Sequence, residues 1–205
     1  MKKKVGLTLN GFERRTQENK KRVLKAAFEL MNVSEDGNVT VDEIAKHSKV
    51  GKTTIFNYFG SKDNLVREVY KFFLSEAFST AKEILDENKS FEDTLTELTQ
   101  NKIRNLSKIN DTFYKRMMEY ITEKGDDGLS LMMRTYAQDN YSIMLDFFHR
   151  GRKEGKIDLK YSDEFLLLFF HALVEGLSHP DIYEKAINYI EEWSEIVIKG
   201  IAPNK

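Results

Sequence analysis

Residues 40–65 read TVDEIAKHSKVGKTTIFNYFGSKDNL, and this stretch decides the fold. Thr40 and Glu43 form a capping box, in which each side chain satisfies the other residue's backbone N–H, so a short helix is predicted over 41–48. A second short helix is predicted over 52–59, after a tight connection and before a terminating glycine. Two short helices joined in this way are typical of a helix-turn-helix, whose second helix enters the major groove of DNA.

Helical periodicity extends outward from this stretch in both directions. Apolar residues recur three and four positions apart along most of the chain, and proline is absent before residue 180. The sequence therefore predicts an all-α fold of about nine helices. Besides the two short helices, we expect helices over 16–33, 62–87, 91–109, 112–123, 126–149, 163–177 and 181–199, with Ser61, Ser90, Asp111 and Ser162 among the capping residues.

Charge divides the chain into two parts near residue 62. Residues 1–62 carry 13 Lys or Arg and 7 Asp or Glu, a net charge of +6, whereas residues 63–205 carry 19 and 26, a net charge of −7. A basic segment favours an anionic partner, and the acidic remainder argues against polyanion binding over the whole surface. We therefore expect a DNA-binding domain over 1–62 and a larger helical domain over 63–205.

The composition excludes several classes of protein and site. The 205 residues are 40% hydrophobic and 32% charged, which is typical of a globular protein with a buried core. Without cysteine there is no disulfide, thiolate metal site or cysteine nucleophile, and the motifs of a nucleophile elbow, a phosphate-binding loop and a zinc protease are absent. Neither a secretion signal nor a bilayer-spanning segment is found, so we expect a soluble, cytoplasmic, non-enzymatic protein without cofactor or metal.

The same stretch resembles the TetR/AcrR family of transcriptional regulators. Members carry Ile-Ala in the first short helix, a turn that ends in Val, a Thr-Leu-Tyr-x-Tyr-Phe-like string and a Ser-Lys-Glu-x-Leu-like start to the next helix. These correspond here to residues 44–45, Val50, residues 54–59 and residues 61–65, and the resemblance covers residues 14–70. It implies a homodimer that binds a palindromic DNA operator, with a more variable second domain for a small-molecule effector and for dimerisation.

Two residues depart from the family pattern. Lys49 stands where the family usually has the glycine of the turn, and a positive φ there would cost a lysine about 1 kcal/mol unless Gly51 takes over part of the turn. Phe56 stands where tyrosine is usual in the recognition helix, so the phosphate contact of that hydroxyl is expected to be missing. If these changes abolish DNA binding, the protein is instead a helical interaction module.

The exposed polar residues of the two short helices fall into two groups. Lysine can donate to guanine O6 and N7, and short polar side chains suit base edges or the thymine methyl. Base reading is therefore expected from Lys52, Thr53, Thr54 and Asn57. The resemblance implies phosphate contacts, helped by helix N-termini, for Thr40, Tyr58 and Lys62. A basic arm would extend this surface through Arg14, Arg15, Lys20 and Lys21.

The second domain is rich in aromatic residues and methionine, which form either a plain core or an adaptable pocket for a lipophilic ligand. Stripes of this kind at helical spacing are more often core, and the family resemblance favours the pocket. The expected effector-pocket residues are Phe78, Phe113, Met117, Tyr120, Met133, Tyr136, Tyr141, Met144, His171 and Glu175.

The last two helices carry apolar residues on more than one face, and in the family the corresponding helices form a four-helix bundle about a twofold axis. A dimer suits a palindromic operator, because two recognition helices must reach major grooves about 34–36 Å apart. We therefore expect a homodimeric repressor released by a small apolar or amphipathic effector, with an effector-independent regulator or activator as the alternative. The expected dimer-interface residues are Phe165, Leu166, Phe169, Leu173, Ile190 and Val197.

Overall fold

The computed structural model describes residues 10–123, 141–179, 182 and 185–204, and within these ranges all regular secondary structure is helical. This confirms the predicted all-α fold. One short 3₁₀ helix, Ile187–Tyr189, accompanies the α-helices. The α-helices of the described residues are α1 (Gly11–Val33), α2 (Val41–Ser48), α3 (Lys52–Phe59), α4 (Lys62–Asp86), α5 (Phe91–Leu106), α6 (Asp111–Glu123), α7 (Tyr141–Lys153), α8 (Asp163–Ser178) and α9 (Ile190–Ile201).

Helix α1 begins five residues earlier than the periodicity predicts, at Gly11 instead of residue 16. Its start is a capping box: the Asn10 side chain accepts from the Glu13 backbone N–H at 2.9 Å, and the Glu13 carboxylate accepts from the Asn10 N–H at 2.9 Å. This reciprocal pair stabilises a first turn that has no buried apolar residue, and so the apolar pattern alone placed the start too late.

Three of the four expected caps are confirmed. The hydroxyls of Ser61, Ser90 and Ser162 accept from backbone N–H groups three residues ahead, at 3.1, 3.1 and 3.2 Å. The expectation for Asp111 is wrong, because the Asn110 side chain accepts the Phe113 N–H at 2.7 Å, so the cap lies one residue earlier. Residues 124–140, which include the expected start of the helix over 126–149, lie outside the described residues.

The chain divides into two compact units, Met1–Phe72 and Phe73–Lys205. The sequence places its boundary at the change of charge after residue 62, and the compact units meet ten residues further along, within α4. The long fourth helix therefore contributes residues to both units.

The first unit is built on an apolar core to which each of its helices contributes. Val23 and Ala27 of α1 are fully buried, and Ile44 of α2, Ile55 of α3 and Leu65 of α4 are at most 2% exposed. Burying one residue of this size contributes about 1.5–3 kcal/mol, so this core fixes α2 and α3 against α1.

The core of the second unit is aromatic. The rings of Phe91 and Phe147 stack with their centroids 4.5 Å apart, and Phe148 is fully buried beside them. Gly151 lies in this core, and a Cβ there would come within 2.7 Å of the Phe91 ring and 2.8 Å of Ile157, so only glycine allows α7 this close approach. None of the helices in the described ranges combines the length and the apolar character needed to cross a membrane.

Candidate nucleic-acid interface

The turn between α2 and α3 is made by a lysine in a left-handed conformation. Lys49 has φ 55° and ψ 35°, the one non-glycine residue with positive φ in the part of the chain that the structure describes. Gly51 does not share the turn, because it is extended, with φ −60° and ψ 141°, and serves as the N-cap residue of α3. The expectation that Gly51 takes over part of the turn is therefore wrong, and Lys49 carries the cost of about 1 kcal/mol.

Arg22 of α1 holds this turn in place. Its Nη2 donates to the Ser48 carbonyl oxygen at 2.8 Å and to the Lys49 carbonyl oxygen at 3.1 Å, and its Nε donates to the Ser48 oxygen at 3.2 Å. Hydrogen bonds from a charged donor are worth about 1.5–3 kcal/mol, which is enough to offset the strain at Lys49. Sequence reasoning missed this role, since nothing in the sequence pairs Arg22 with a turn 26 residues away.

Helix α3 presents one face to the core and the other to solvent. Ile55 is 1% exposed and anchors the helix, while Thr54 and Tyr58 are half-buried. Of the residues expected to read bases, Lys52, Thr53 and Asn57 are exposed. Phe56 lies on the same exposed surface with 39% of its area accessible, although an apolar ring of this size is usually buried.

Lys52 has an acidic partner that its sequence context does not indicate. Its Nζ lies 2.7 Å from the Asp42 Oδ2, and the two side chains are 51% and 71% exposed. Asp42 is in the first turn of α2 and Lys52 is the first residue of α3, so the ion pair joins the N-terminal ends of the two short helices.

Thr40 and Lys62 are both expected to contact phosphates, and they differ in the hydrogen bonds that they already make. The Thr40 backbone N–H and hydroxyl both donate to the Glu43 Oε2, each at 2.7 Å, and these bonds lower the pKa of Glu43, the backbone bond most strongly. A phosphate contact by the Thr40 hydroxyl would therefore have to replace its bond to Glu43. Lys62, at the start of α4, is exposed, and its charge also lowers the pKa of Glu43.

Tyr58 contacts two residues of α1. Its hydroxyl accepts from the Asn19 Nδ2 at 3.4 Å, and the Lys20 Nζ lies 5.7 Å from the centre of its ring. A cation at this distance from an aromatic face is attracted to it, so Lys20 of the expected basic arm lies beside Tyr58. Arg14, Arg15 and Lys21 are exposed on the same helix.

The structure distributes the expected effector-pocket residues unevenly within the second unit. Phe113 and Met117 are buried, and the Phe113 ring meets the Phe73 ring edge to face at 5.8 Å. Phe78, Tyr120 and Met144 are half-buried, while Tyr141 and His171 are exposed and so line no apolar interior. The remaining three, Met133, Tyr136 and the side chain of Glu175, lie outside the described residues.

Two polar features of α5 were not expected from the sequence. Lys102 is half-buried, and no residue in the described ranges gives it a hydrogen bond or an ion pair, so burial lowers the pKa of its ammonium group. A surface pocket on the helix contains none of the expected effector residues and is lined by Lys89, Asp93, Thr96, Glu97, Gln100 and Arg104. Over the part of the chain that the structure covers, no group of three His, Asp or Glu side chains is placed to hold a metal ion.

The residues expected at a dimer interface also differ in their burial. Leu166 is fully buried in the core of a single subunit, so the expectation that it lies at the interface is wrong: α8 turns this residue inward against the core that contains Phe148. Phe165 is 46% exposed, while Phe169, Leu173 and Val197 are half-buried, and the side chain of Ile190 lies outside the described residues. Further exposed apolar side chains on α8, α9 and the segment between them are Leu168, Ile182, Tyr189, Trp193 and Ile196.

The helix-turn-helix segment matches a known protein family. Residues 23–69 match the family described as bacterial regulatory proteins, tetR family. None of the curated proteins matches the chain in sequence.

Solved structures extend the likeness of fold over most of the chain. The reduced form of NemR from E. coli has a TM-score of 0.65 at 14% identity, covering 91% of this chain and 99% of its own. A gamma-butyrolactone receptor (ArpA-like protein) has a TM-score of 0.61 at 16% identity, with 92% and 90% covered. The ketosteroid transcriptional regulator KstR2 of Mycobacterium tuberculosis has a TM-score of 0.58 at 16% identity, with 96% and 98% covered.

Proposed function

We propose that this chain is a homodimeric repressor. Its residues 23–69 match the TetR family of bacterial regulatory proteins, and its fold is similar to that of a TetR transcription regulatory protein of known structure. A small apolar or amphipathic effector releases the repressor from a palindromic operator. The protein acts in the cytoplasm, binds double-stranded DNA and catalyses no reaction.

The exposed face of α3 is the observation that carries this proposal. Ile55 fixes the helix in the core, and the left-handed turn at Lys49, held by Arg22, fixes its start. Lys52, Thr53 and Asn57 are thereby presented to solvent on a helix of eight residues, which suits the major groove. In this proposal they read bases together with Thr54, while Thr40, Tyr58 and Lys62 contact phosphates.

The exposed apolar side chains of α8 and α9 support the proposed dimerisation. Phe165, Leu168 and Ile196 are 46%, 65% and 64% exposed, and apolar groups of this size gain free energy when a partner covers them. A homodimer carries two copies of α3, one for each half-site of a palindromic operator.

An effector is expected to act through α4. This helix runs from Lys62, in the DNA-binding unit, to Asp86, in the second unit, and Phe73 within it contacts Phe113. A ligand inserted among the apolar residues of the second unit would shift α4 and with it the DNA-binding unit. Two similar structures, the gamma-butyrolactone receptor and the ketosteroid regulator, have names that point to small organic ligands, which supports this choice.

The decisive experiment is selection of genomic or random DNA fragments by the purified full-length protein, followed by titration of the selected duplex. A palindromic sequence bound at nanomolar concentration supports the proposal, and retention of no fragment refutes it. Addition of lipophilic compounds then distinguishes a releasable repressor from an effector-independent regulator, because only the repressor leaves its operator while it stays dimeric. By linkage, an effector that weakens DNA binding must itself bind the DNA complex more weakly by the same factor.

A further inference from the structure

We propose that Asp42 is a specificity-determining residue of the DNA-binding surface, because it competes with DNA phosphates for Lys52. This inference rests on the proposed function and adds to it a residue that opposes binding to the wrong sequence. Its basis is the 2.7 Å contact between the Lys52 Nζ and the Asp42 Oδ2.

The fold brings these two residues together for a structural reason. Asp42 lies in the first turn of α2 and Lys52 at the start of α3, and the turn clamped by Arg22 sets the relative position of the two helices. The ammonium lies at a helix N-terminus, where the helix dipole disfavours a cation, so a carboxylate beside it is electrostatically favourable. In this helix-turn-helix, the turn brings two residues ten positions apart in the sequence into direct contact.

The ion pair contributes little to folding, since both side chains are more than half exposed and solvent screens their attraction. Its main effect is on what Lys52 binds next. A phosphate that recruits Lys52 replaces one anionic partner by another and leaves the Asp42 carboxylate beside a polyanion. Guanine offers two acceptors, O6 and N7, on a base edge deep in the groove. Hydrogen bonds from Lys52 to these atoms therefore stabilise the complex by more than the ion pair that is lost.

Asp42 therefore penalises random duplexes more than the operator. Discrimination of this kind comes from a cost imposed on the wrong partner as well as from contacts with the right one. Removal of the carboxylate should strengthen binding to all DNA, and the increase should be largest where Lys52 contacts only phosphates.

The test is the substitution Asp42→Asn in the full-length protein, with affinities measured for the selected operator and for a random duplex of equal length. We expect the affinity for random DNA to rise about fivefold and that for the operator about twofold or less, so that the ratio of the two falls. Higher salt should shrink the difference between mutant and wild type, because the ion pair is exposed.

Two variants control for net charge and for the role of Lys52. Glu35→Gln removes the same charge from an exposed position in the loop before α2, and it should change both affinities by one common factor. In a Lys52→Ala background, Asp42→Asn should have only the effect of Glu35→Gln.

The inference is overturned if Asp42→Asn and Glu35→Gln behave alike, or if the effect of Asp42→Asn persists without Lys52. Loss of operator affinity with unchanged binding to random DNA would also overturn it, since Asp42 would then contact a base itself. These outcomes differ from failure of the proposed function, in which the wild-type protein binds neither duplex.

Discussion

The guanidinium of Arg22 donates at 2.8 Å to the backbone carbonyl of Ser48, the last residue of α2. The next residue, Lys49, is left-handed, so the charged hydrogen bonds lie where the backbone is strained. The orientation of α3 thus depends on a contact between α1 and the turn, in addition to the packing of Ile55.

Lys49→Gly should raise the free energy of unfolding by about 0.5–1 kcal/mol, because glycine adopts a positive φ without the clash of a Cβ. Urea denaturation followed by circular dichroism measures the change. Lys46→Gly, in the interior of α2, is the matched control and should lower stability by about 1 kcal/mol. Equal effects of the two substitutions would show that the strain at Lys49 is negligible.

Arg22→Met should destabilise the protein by about 1–2 kcal/mol, since it removes the charged donor from the Ser48 and Lys49 carbonyls. The loss of stability should be smaller in a Lys49→Gly background, where the turn is no longer strained and depends less on the hydrogen bonds from Arg22. Additive effects in this double-mutant cycle would contradict the proposed coupling between Arg22 and the strained residue.

Lys62→Ala and Lys52→Ala should affect DNA binding in different ways. A phosphate contact contributes about −0.9 to the slope of log K against log salt, so loss of Lys62 should flatten that slope and weaken all sequences alike. Loss of Lys52 should cost about 1–3 kcal/mol and relax specificity at one base pair. Titrations of operator and random duplexes over a range of salt concentrations measure both, and identical behaviour of the two variants would refute the assigned roles.

Leu168→Arg should give monomers, because it places a charge in the apolar face proposed for dimerisation, at a cost of several kcal/mol. Leu168 is 65% exposed in the subunit, so its replacement leaves the core intact; Phe169 is less suitable because it is half-buried against that core. Sedimentation velocity measures the assembly state. Leu159→Arg, at an 80% exposed position outside α8 and α9, should leave the dimer unchanged, and a dimer that survives Leu168→Arg would move the interface elsewhere.

Lys102→Met should raise the free energy of unfolding at pH 7 by about 1 kcal/mol, because it removes a half-buried charge that has no ion-pair partner among the described residues. Burial lowers the folded-state pKa of Lys102 below 10.5, so between the two pKa values the unfolded chain binds more protons and stability rises with pH. The advantage of the mutant should therefore be larger at pH 7 than near pH 10.5, where it disappears. Lys82→Met, at an exposed position on α4, should show no such trend in denaturation measured over this pH range.

Local signals in the sequence predict the helix-turn-helix accurately. The Thr40–Glu43 capping box and the terminating Gly60 lie within a few residues of the helix ends that they set, and α2 and α3 have the predicted bounds. Local signals do not predict structural features that depend on a tertiary contact. The departure at Lys49 was visible in the sequence, but its compensation by Arg22 requires α1 and the turn to be in place.

The periodicity of α8 shows a second limit. Its run of apolar residues covers several faces, and the sequence cannot tell which face meets the subunit's own core. Leu166 turns inward and Leu168, two residues later, turns outward, because a two-residue step rotates a helix by about 200°. The sequence therefore predicts which helices would carry an interface but not which side of each helix would form it.

Trp193 is the single tryptophan of the chain, and it lies on α9 with 37% of its area exposed, beside the exposed Ile196. The indole emission of the native protein therefore arises from one position on the face proposed for assembly. Burial of that ring by a second subunit would move its emission maximum to shorter wavelength. Unlabelled protein thus carries its own optical signal for self-association, which dilution in a fluorimeter can follow.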